Sequence, residues 1–222
     1  MTLRSASALF LCVLASSTFA ADKDVEALLA KMRTAYKSAK SVTMTTITLV
    51  PGPFGDAEIE TVVSYSSPNK MHAVIKGIPE AGGSDMTVRS DGKNMVVEGL
   101  PSGKIKRAYD EQLFVQALTA NLETLCFWDW KRQLSTAKGD NMEKSTFKLI
   151  AKEMWKDKPY LVLEETAAGQ NVFVRYFIDA KSSLILRTVV TAIDDKETIQ
   201  MDARLSKLDL KAKLSPTLFK ID

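Results

Sequence analysis

The sequence has very little of the chemistry on which metal centres and disulfide networks depend. Its 222 residues include one histidine and two cysteines, which disfavours both a cage of several His or Cys ligands and a disulfide framework. Neither sign of charge dominates, because 30 Lys and Arg are interspersed with 27 Asp and Glu. We therefore expect no metal, no cofactor and no nucleic-acid partner.

Motifs of common enzymes are also missing. The chain has no P-loop, no Rossmann glycine pattern, no H-E-x-x-H and no G-x-S-x-G. His72 is out of phase with its apolar neighbours and is expected to face solvent. Cys126 follows Leu125 on a predicted apolar helix face, where a free thiol usually packs as a small hydrophobic group. We expect a protein that is not an enzyme and has no catalytic residue.

The first 20 residues have the pattern of a secretory signal peptide. Arg4 precedes an apolar run over residues 6–14, and small and polar residues lead to Ala20. The apolar run is too short to span a bilayer comfortably. The sequence predicts export with cleavage near Ala20 and a single domain over residues 21–222.

Most of the remaining chain alternates at the period of β-strands. Apolar side chains recur at three- and four-residue steps near residues 22–40 and again over 110–126, which predicts one helix in each place. About ten or eleven short strands fill the rest, bounded by Gly, Pro, Asn and Asp. We predict an α+β fold, mainly β, with antiparallel strands.

The clearest local signal is a hairpin over residues 86–97. Asp91-Gly92 suits a two-residue type I′ turn, and such a turn would place Val88 opposite Met95. One face of the hairpin would then carry Met86, Val88, Met95 and Val97, and the other Thr87, Arg89, Asn94, Val96 and Glu98.

Alternation in two other strands extends the same apolar face. The predicted inner positions are Met71, Ala73 and Ile75 in one strand and Ile199, Met201 and Leu205 in the other. The phase of the strand Ser41–Val50 stays open, because the pair Val42/Met44 and the pair Ile47/Leu49 compete for the inner side. Methionine adapts to irregular contacts, which suits either a cavity for an apolar ligand or a filled core.

Four short segments, in their order along the chain, resemble the LolA-like superfamily of periplasmic lipoprotein carriers. They are the amphipathic helix before a Thr-rich strand, Ser67-Pro68-Asn69-Lys70-Met71, Val88-Arg89-Ser90-Asp91-Gly92-Lys93, and the closing run over residues 214–221. The resemblance covers nearly the whole chain after residue 20. It implies a half-open antiparallel β-barrel around a helical lid, with a cavity for acyl chains.

The resemblance also implies a function and its residues. By position, the hairpin residues would line the concave sheet, and Phe114, Leu118 and Leu122 would belong to the lid. The expected protein is a monomeric periplasmic binder or carrier of an acylated ligand, a lipoprotein or a lipid, with a membrane protein as donor or acceptor. The alternative is an envelope-stress sensor or interaction module of the same fold. Ser67 stands where the dedicated carriers have Arg, which weakens the lipoprotein-shuttle interpretation more than the lipid-pocket one.

Overall fold

The protein is described by a computed structural model over residues 23–38, 40–51, 57–67, 69–77, 85–99, 103–110, 145–155, 158–167, 171–193 and 198–221. The predicted signal peptide lies outside these residues. So do Cys126 and the predicted lid residues Phe114, Leu118 and Leu122.

The described residues form one α-helix, eleven strands and a terminal 3₁₀ helix. Helix α1 spans Lys23–Ser38. The strands are β1 Ser41–Val50, β2 Ala57–Ser66, β3 Lys70–Lys76, β4 Met86–Asp91, β5 Asn94–Glu98, β6 Ile105–Ala108, β7 Ser145–Trp155, β8 Lys158–Ala167, β9 Val172–Asp179, β10 Ile185–Ile193 and β11 Thr198–Asp209, and the 3₁₀ helix is Pro216–Phe219. The predicted number of about ten or eleven strands is confirmed.

The strands form one antiparallel sheet with the order β6-β5-β4-β3-β2-β1-β11-β10-β9-β8-β7. Consecutive strands are neighbours except β6 and β7, which form the two edges, and the first and last strands, β1 and β11, pair at the centre. The two halves of the sheet, β2–β6 and β7–β10, are therefore joined through these two strands. The sheet does not close into a barrel, which confirms the predicted half-open architecture.

Helix α1 packs on one side of this sheet, which we call the inner face. Its acidic first turn suits the helix dipole, and its apolar residues repeat at helical spacing. Its buried residues are Val25, Leu28, Leu29, Met32 and Tyr36, and they belong to the same core cluster as the inner-face residues of the strands. The amide of Ile185 donates a hydrogen bond of 3.1 Å to the hydroxyl of Tyr36.

The structure settles the phase of β1. Val42 and Met44 are fully buried on the inner face, while Ile47 and Leu49 are partly exposed on the outer face. Thr46 and Thr48 continue the inner row beyond Met44. Threonine is common on either side of a strand, so the sequence alone could not choose between the two pairs.

The predicted type I′ turn at Asp91-Gly92 is wrong. Ser90 pairs with Met95 and Val88 pairs with Val97, a register two residues away from the predicted one. The Asp91 carboxylate accepts hydrogen bonds from the amides of Lys93 and Asn94, both 2.8 Å. Gly92 takes a positive φ of 96° and Asp91 does not. Because the shift is an even number of residues, the faces of the hairpin are unchanged.

Val96 lies on the predicted wet face of the hairpin but is buried. Its partner in β4 is Arg89, whose guanidinium pairs with Glu98 at 2.8 Å. Glu98 in turn pairs with Lys104 at 2.9 Å. Charged side chains therefore surround Val96 on the outer face. Long charged side chains cover apolar surface with their aliphatic stems, which accounts for the burial of Val96.

Candidate functional site on the inner face

Strands β3, β4 and β5 bring together the larger group of predicted lining residues. Their registers place these side chains in adjacent rows on the inner face. Each is at most 8% exposed, and all belong to the core cluster that includes α1: Met71, Ala73, Ile75, Met86, Val88, Met95 and Val97. This part of the inner face is in contact with the protein's own side chains.

The predicted residues of β11 lie on the same face but in a more open region. Leu205 is partly buried against the core cluster, Met201 is half-buried, and Ile199 is 41% exposed. On the inner side of β11, exposure thus rises from Ala203, which is 1% exposed, toward Ile199 near the start of the strand. We call the partly exposed inner-face residues at this end the rim: Val50, Val172, Ala192, Ile199 and Met201.

Methionine is concentrated in the buried core between α1 and the inner face. Five of the nine methionines of the chain are in the core cluster: Met32, Met44, Met71, Met86 and Met95. Met32 and Met44 extend the three positions on β3–β5 that the sequence predicted. An unbranched thioether side chain repacks with less strain than a branched one, so this cluster can change shape more readily than a core of Val and Ile.

The inner face also carries buried hydroxyl groups that the sequence analysis missed. Thr46, Thr48, Thr61 and Thr188 are each at most 2% exposed. We call these four residues the threonine cluster. Thr46 pairs directly with Thr61, and Ala203 lies between Thr48 and Thr188. The Thr-rich sequence of β1 contained a signal for them. Two threonines follow Val42 and Met44 there at every second position, which is the spacing of the inner side.

The adjacent carboxylates of β8 point in opposite directions, as expected for neighbouring strand positions. Glu164 accepts a hydrogen bond of 2.9 Å from Arg175. Glu165 accepts one of 2.5 Å from the hydroxyl of Tyr176, an inner-face residue of the core cluster. The two carboxylates are therefore not arranged as an acid and base couple.

His72 lies on the outer face, out of phase with Met71 and Ala73. It is half-buried rather than freely exposed, and its cross-strand partners are Ser64 and Arg89. Burial, and after it the positive charge of Arg89, lowers the pKa of His72 below its usual value. The imidazole is separated by the sheet from the inner face, so it cannot act on a ligand there.

One described cavity, of about 300 Å³, lies elsewhere. Its lining residues are Lys70, Asp91, Pro216, Phe219, Lys220 and Ile221. None of the predicted lining residues contributes to it. Lys70 pairs with Asp91 on the outer face, so this cavity lies between the sheet and the terminal 3₁₀ helix.

The part of the chain that the structure describes contains neither a cluster of metal ligands nor a membrane-spanning helix. No three His, Cys, Asp or Glu side chains are grouped there as metal ligands would be. No helix among these residues has the length and apolar character needed to cross a membrane.

Comparison with known proteins identifies the fold through solved structures. No protein-family model matches the chain, and no curated protein matches its sequence. A crystal structure of MucB matches 90% of the chain with a TM-score of 0.54 and 15% identity. The complex of Pseudomonas aeruginosa MucA and MucB gives 0.50, also with 15% identity and 90% coverage. LprF from Mycobacterium bovis gives 0.50, with 12% identity over 88% of the chain and 98% of LprF.

The lengths of these proteins differ from one another. The matched part is 64% of the MucB chain and 61% of the MucB chain in the complex, so this chain spans a little under two thirds of that protein. At these identities the matches establish the fold. The half-open antiparallel sheet with α1 on its inner face is the architecture that the sequence resemblance implied. The chain shares this fold with MucB and LprF.

Proposed function

We propose that the chain is a non-enzymatic, exported binder or carrier of an acylated ligand, which it holds against the inner face of the sheet. The proposed location is the periplasm. The proposed functional unit is the single domain over residues 21–222 after removal of residues 1–20. The ligand is the acyl chain of a lipid or lipoprotein, and a membrane protein delivers or receives it.

The methionine-rich inner face is the observation that carries this proposal. An acyl chain is stabilised out of water by about 0.8 kcal/mol for each buried methylene. Its binding requires apolar side chains that can move apart and repack, which the five clustered methionines supply. The rim provides the entrance, because its inner-face side chains remain partly exposed.

The fold of MucB supports a second candidate, an interaction module that signals through a protein partner. MucB has been solved in complex with MucA, and MucB is similar in fold to this chain. In this alternative the inner face still binds an acylated ligand. Binding then changes the affinity of the protein for a membrane partner, and the ligand is not transferred.

The test is binding of an apolar dye to matched variants. Exported protein purified without detergent is titrated with N-phenylnaphthylamine, and a parallel sample is analysed by native mass spectrometry for bound lipid. Ile199→Glu places a charge on the rim, whereas Gln200→Glu places the same charge on the neighbouring, outer-facing position. Both side chains are exposed, so neither change should prevent folding.

We expect a co-purified lipid and dye binding that Ile199→Glu weakens about tenfold or more, equal to about 1.4 kcal/mol. Gln200→Glu should leave the dye affinity within about twofold of wild type. Protein that carries no lipid and binds no dye would refute the proposed function. Equal effects of the two variants would show that the dye binds away from the inner face and would refute the assignment of the site.

A further inference from the structure

The threonine cluster interrupts an otherwise apolar surface. Its cross-strand neighbours on the inner face are Leu205, Ile59, Ala203, Ile75 and Tyr176. Val42 and Met44 precede it along β1. The rim follows it in the other direction, at Val50. The hydroxyls therefore lie between the fully buried end of the inner face and its open end.

Thr46 has the most unusual environment in this cluster. Its side chain is 2% exposed. Among the residues that the structure describes, its Oγ1 is one of two buried side-chain polar atoms without a hydrogen bond. A buried hydroxyl without a partner is destabilising, because it loses its hydrogen bonds to water and gains none in the protein, and valine, which has the same shape, would avoid that cost. Such a group calls for an explanation, and a missing polar partner is one.

We propose that Thr46 Oγ1 binds the carbonyl oxygen of an acyl ester, so that the threonine cluster recognises the linkage between an acyl chain and its headgroup. This inference rests on the proposed function and adds the chemical class of the ligand. The hydroxyl donates to the ester carbonyl. The acyl chain then lies toward Val42 and Met44, and the headgroup extends to the rim at Val50.

The charges on the inner face favour a neutral acceptor over a free carboxylate. The residues paired with Thr46 are Thr61 and Leu205, neither of which is charged. Thr188 pairs with Tyr176, whose hydroxyl binds the carboxylate of Glu165. A buried fatty-acid carboxylate needs a positive partner, whereas Glu165, the nearest charged side chain on the inner face among the described residues, is negative. An ester places no net charge there.

The test compares two neutral lipids that differ in the linkage. Monopalmitoylglycerol has an ester carbonyl, and monohexadecylglycerol has an ether in its place. The affinity of each lipid is measured by displacement of N-phenylnaphthylamine from four proteins: wild type, Thr46→Val, Thr46→Ser and Thr43→Val. Thr43→Val is the matched control, because Thr43 is on the same strand with its side chain on the outer face. Thermal unfolding of the lipid-free proteins is measured in parallel.

We expect wild type, Thr43→Val and Thr46→Ser to bind the ester about 5–10 times more tightly than the ether, the preference that one net hydrogen bond provides. Thr46→Val should bind both lipids equally, with its ether affinity unchanged. Lipid-free Thr46→Val should also melt about 2–4 °C higher than wild type, because it no longer buries an unpaired hydroxyl.

The outcomes separate this inference from the proposed function. If neither lipid displaces the dye and wild type binds no dye, both are overturned. If the ratio of ester affinity to ether affinity is the same for wild type and Thr46→Val, the protein binds acylated ligands but Thr46 does not recognise the ester. A ratio lost equally in Thr43→Val would also overturn the assignment to Thr46.

Discussion

At the scale of single residues, Asp202 shows how the outer face holds adjacent strands together. Its carboxylate accepts two hydrogen bonds from the Arg187 guanidinium, at 2.9 and 2.8 Å, and further ones from Arg204. Arg187 also stacks over Phe177, 4.7 Å from the ring centroid. Burial alone would raise the pKa of Asp202, but the hydrogen bonds and charges of the two arginines outweigh it and lower the pKa.

Replacement of Asp202 by Asn should therefore destabilise the protein by about 1–3 kcal/mol at pH 7, because two arginines lose a charged acceptor. A carboxyl group whose pKa is lowered in the folded state contributes stability above its unfolded pKa, near 3.8. That contribution is lost as the pH falls through the folded pKa. Urea unfolding should accordingly show a difference from wild type that is constant above pH 5 and shrinks below pH 4.

Glu60 provides the control for this prediction. It pairs with Lys76 at 3.0 Å, but the two side chains are 37% and 51% exposed. Glu60→Gln should change the free energy of unfolding by less than about 0.5 kcal/mol, as is usual for exposed pairs. A difference for Asp202→Asn that does not depend on pH would show that shape, not charge, accounts for its effect.

At the scale of elements, α1 depends on one apolar stripe against the inner face. Met32 is fully buried in that stripe. Met32→Ala should lower the free energy of unfolding by about 2–5 kcal/mol through lost burial and a residual cavity. The matched control is Met154→Ala on edge strand β7, where the side chain is 69% exposed, and its expected cost is below about 0.5 kcal/mol.

The measurement is urea unfolding followed by circular dichroism. Similar costs for the two methionine variants would mean that α1 is not anchored to the core through Met32. A smaller cost for Met32→Ala in the presence of N-phenylnaphthylamine is also expected, because the dye can fill the space that the shortened side chain leaves.

The elements themselves were largely predictable from the sequence, whereas some of their details were not. Alternation gave the correct inner phase for β3, β4, β5 and β11 because the inner side of each is apolar and the outer side is mostly polar. The turn at Asp91 could not be predicted, since the choice depends on side-chain bonds from its carboxylate to two amides. The buried hydroxyls were missed for a related reason: a hydropathy pattern treats an inner threonine as neutral and does not ask what its oxygen binds.

At the scale of the whole molecule, the central pairing of β1 with β11 joins residues that are far apart in sequence. Thr43 pairs with Asp209 and Leu49 with Asp202. Two side-chain bonds reinforce the junction, from Ser206 to the carbonyl of Thr45 at 3.0 Å and from Ser41 to the carbonyl of Ala212 at 2.6 Å. Residues from both halves of the sheet belong to one core cluster, so we expect the halves to unfold as one cooperative unit.

Ile47→Pro tests that expectation, because a proline in a central strand removes a backbone donor from the ladder and crowds its neighbours. Ile47 pairs with Arg204 on one side and Glu60 on the other. We expect a loss of about 3 kcal/mol or more, against about 0.5–1.5 kcal/mol for the control Ile47→Val. Hydrogen exchange followed by mass spectrometry should show protection falling together in β2–β6 and in β7–β10. If protection falls in β1 and β11 alone while both flanking groups of strands keep theirs, the sheet consists of two separately stable units rather than one.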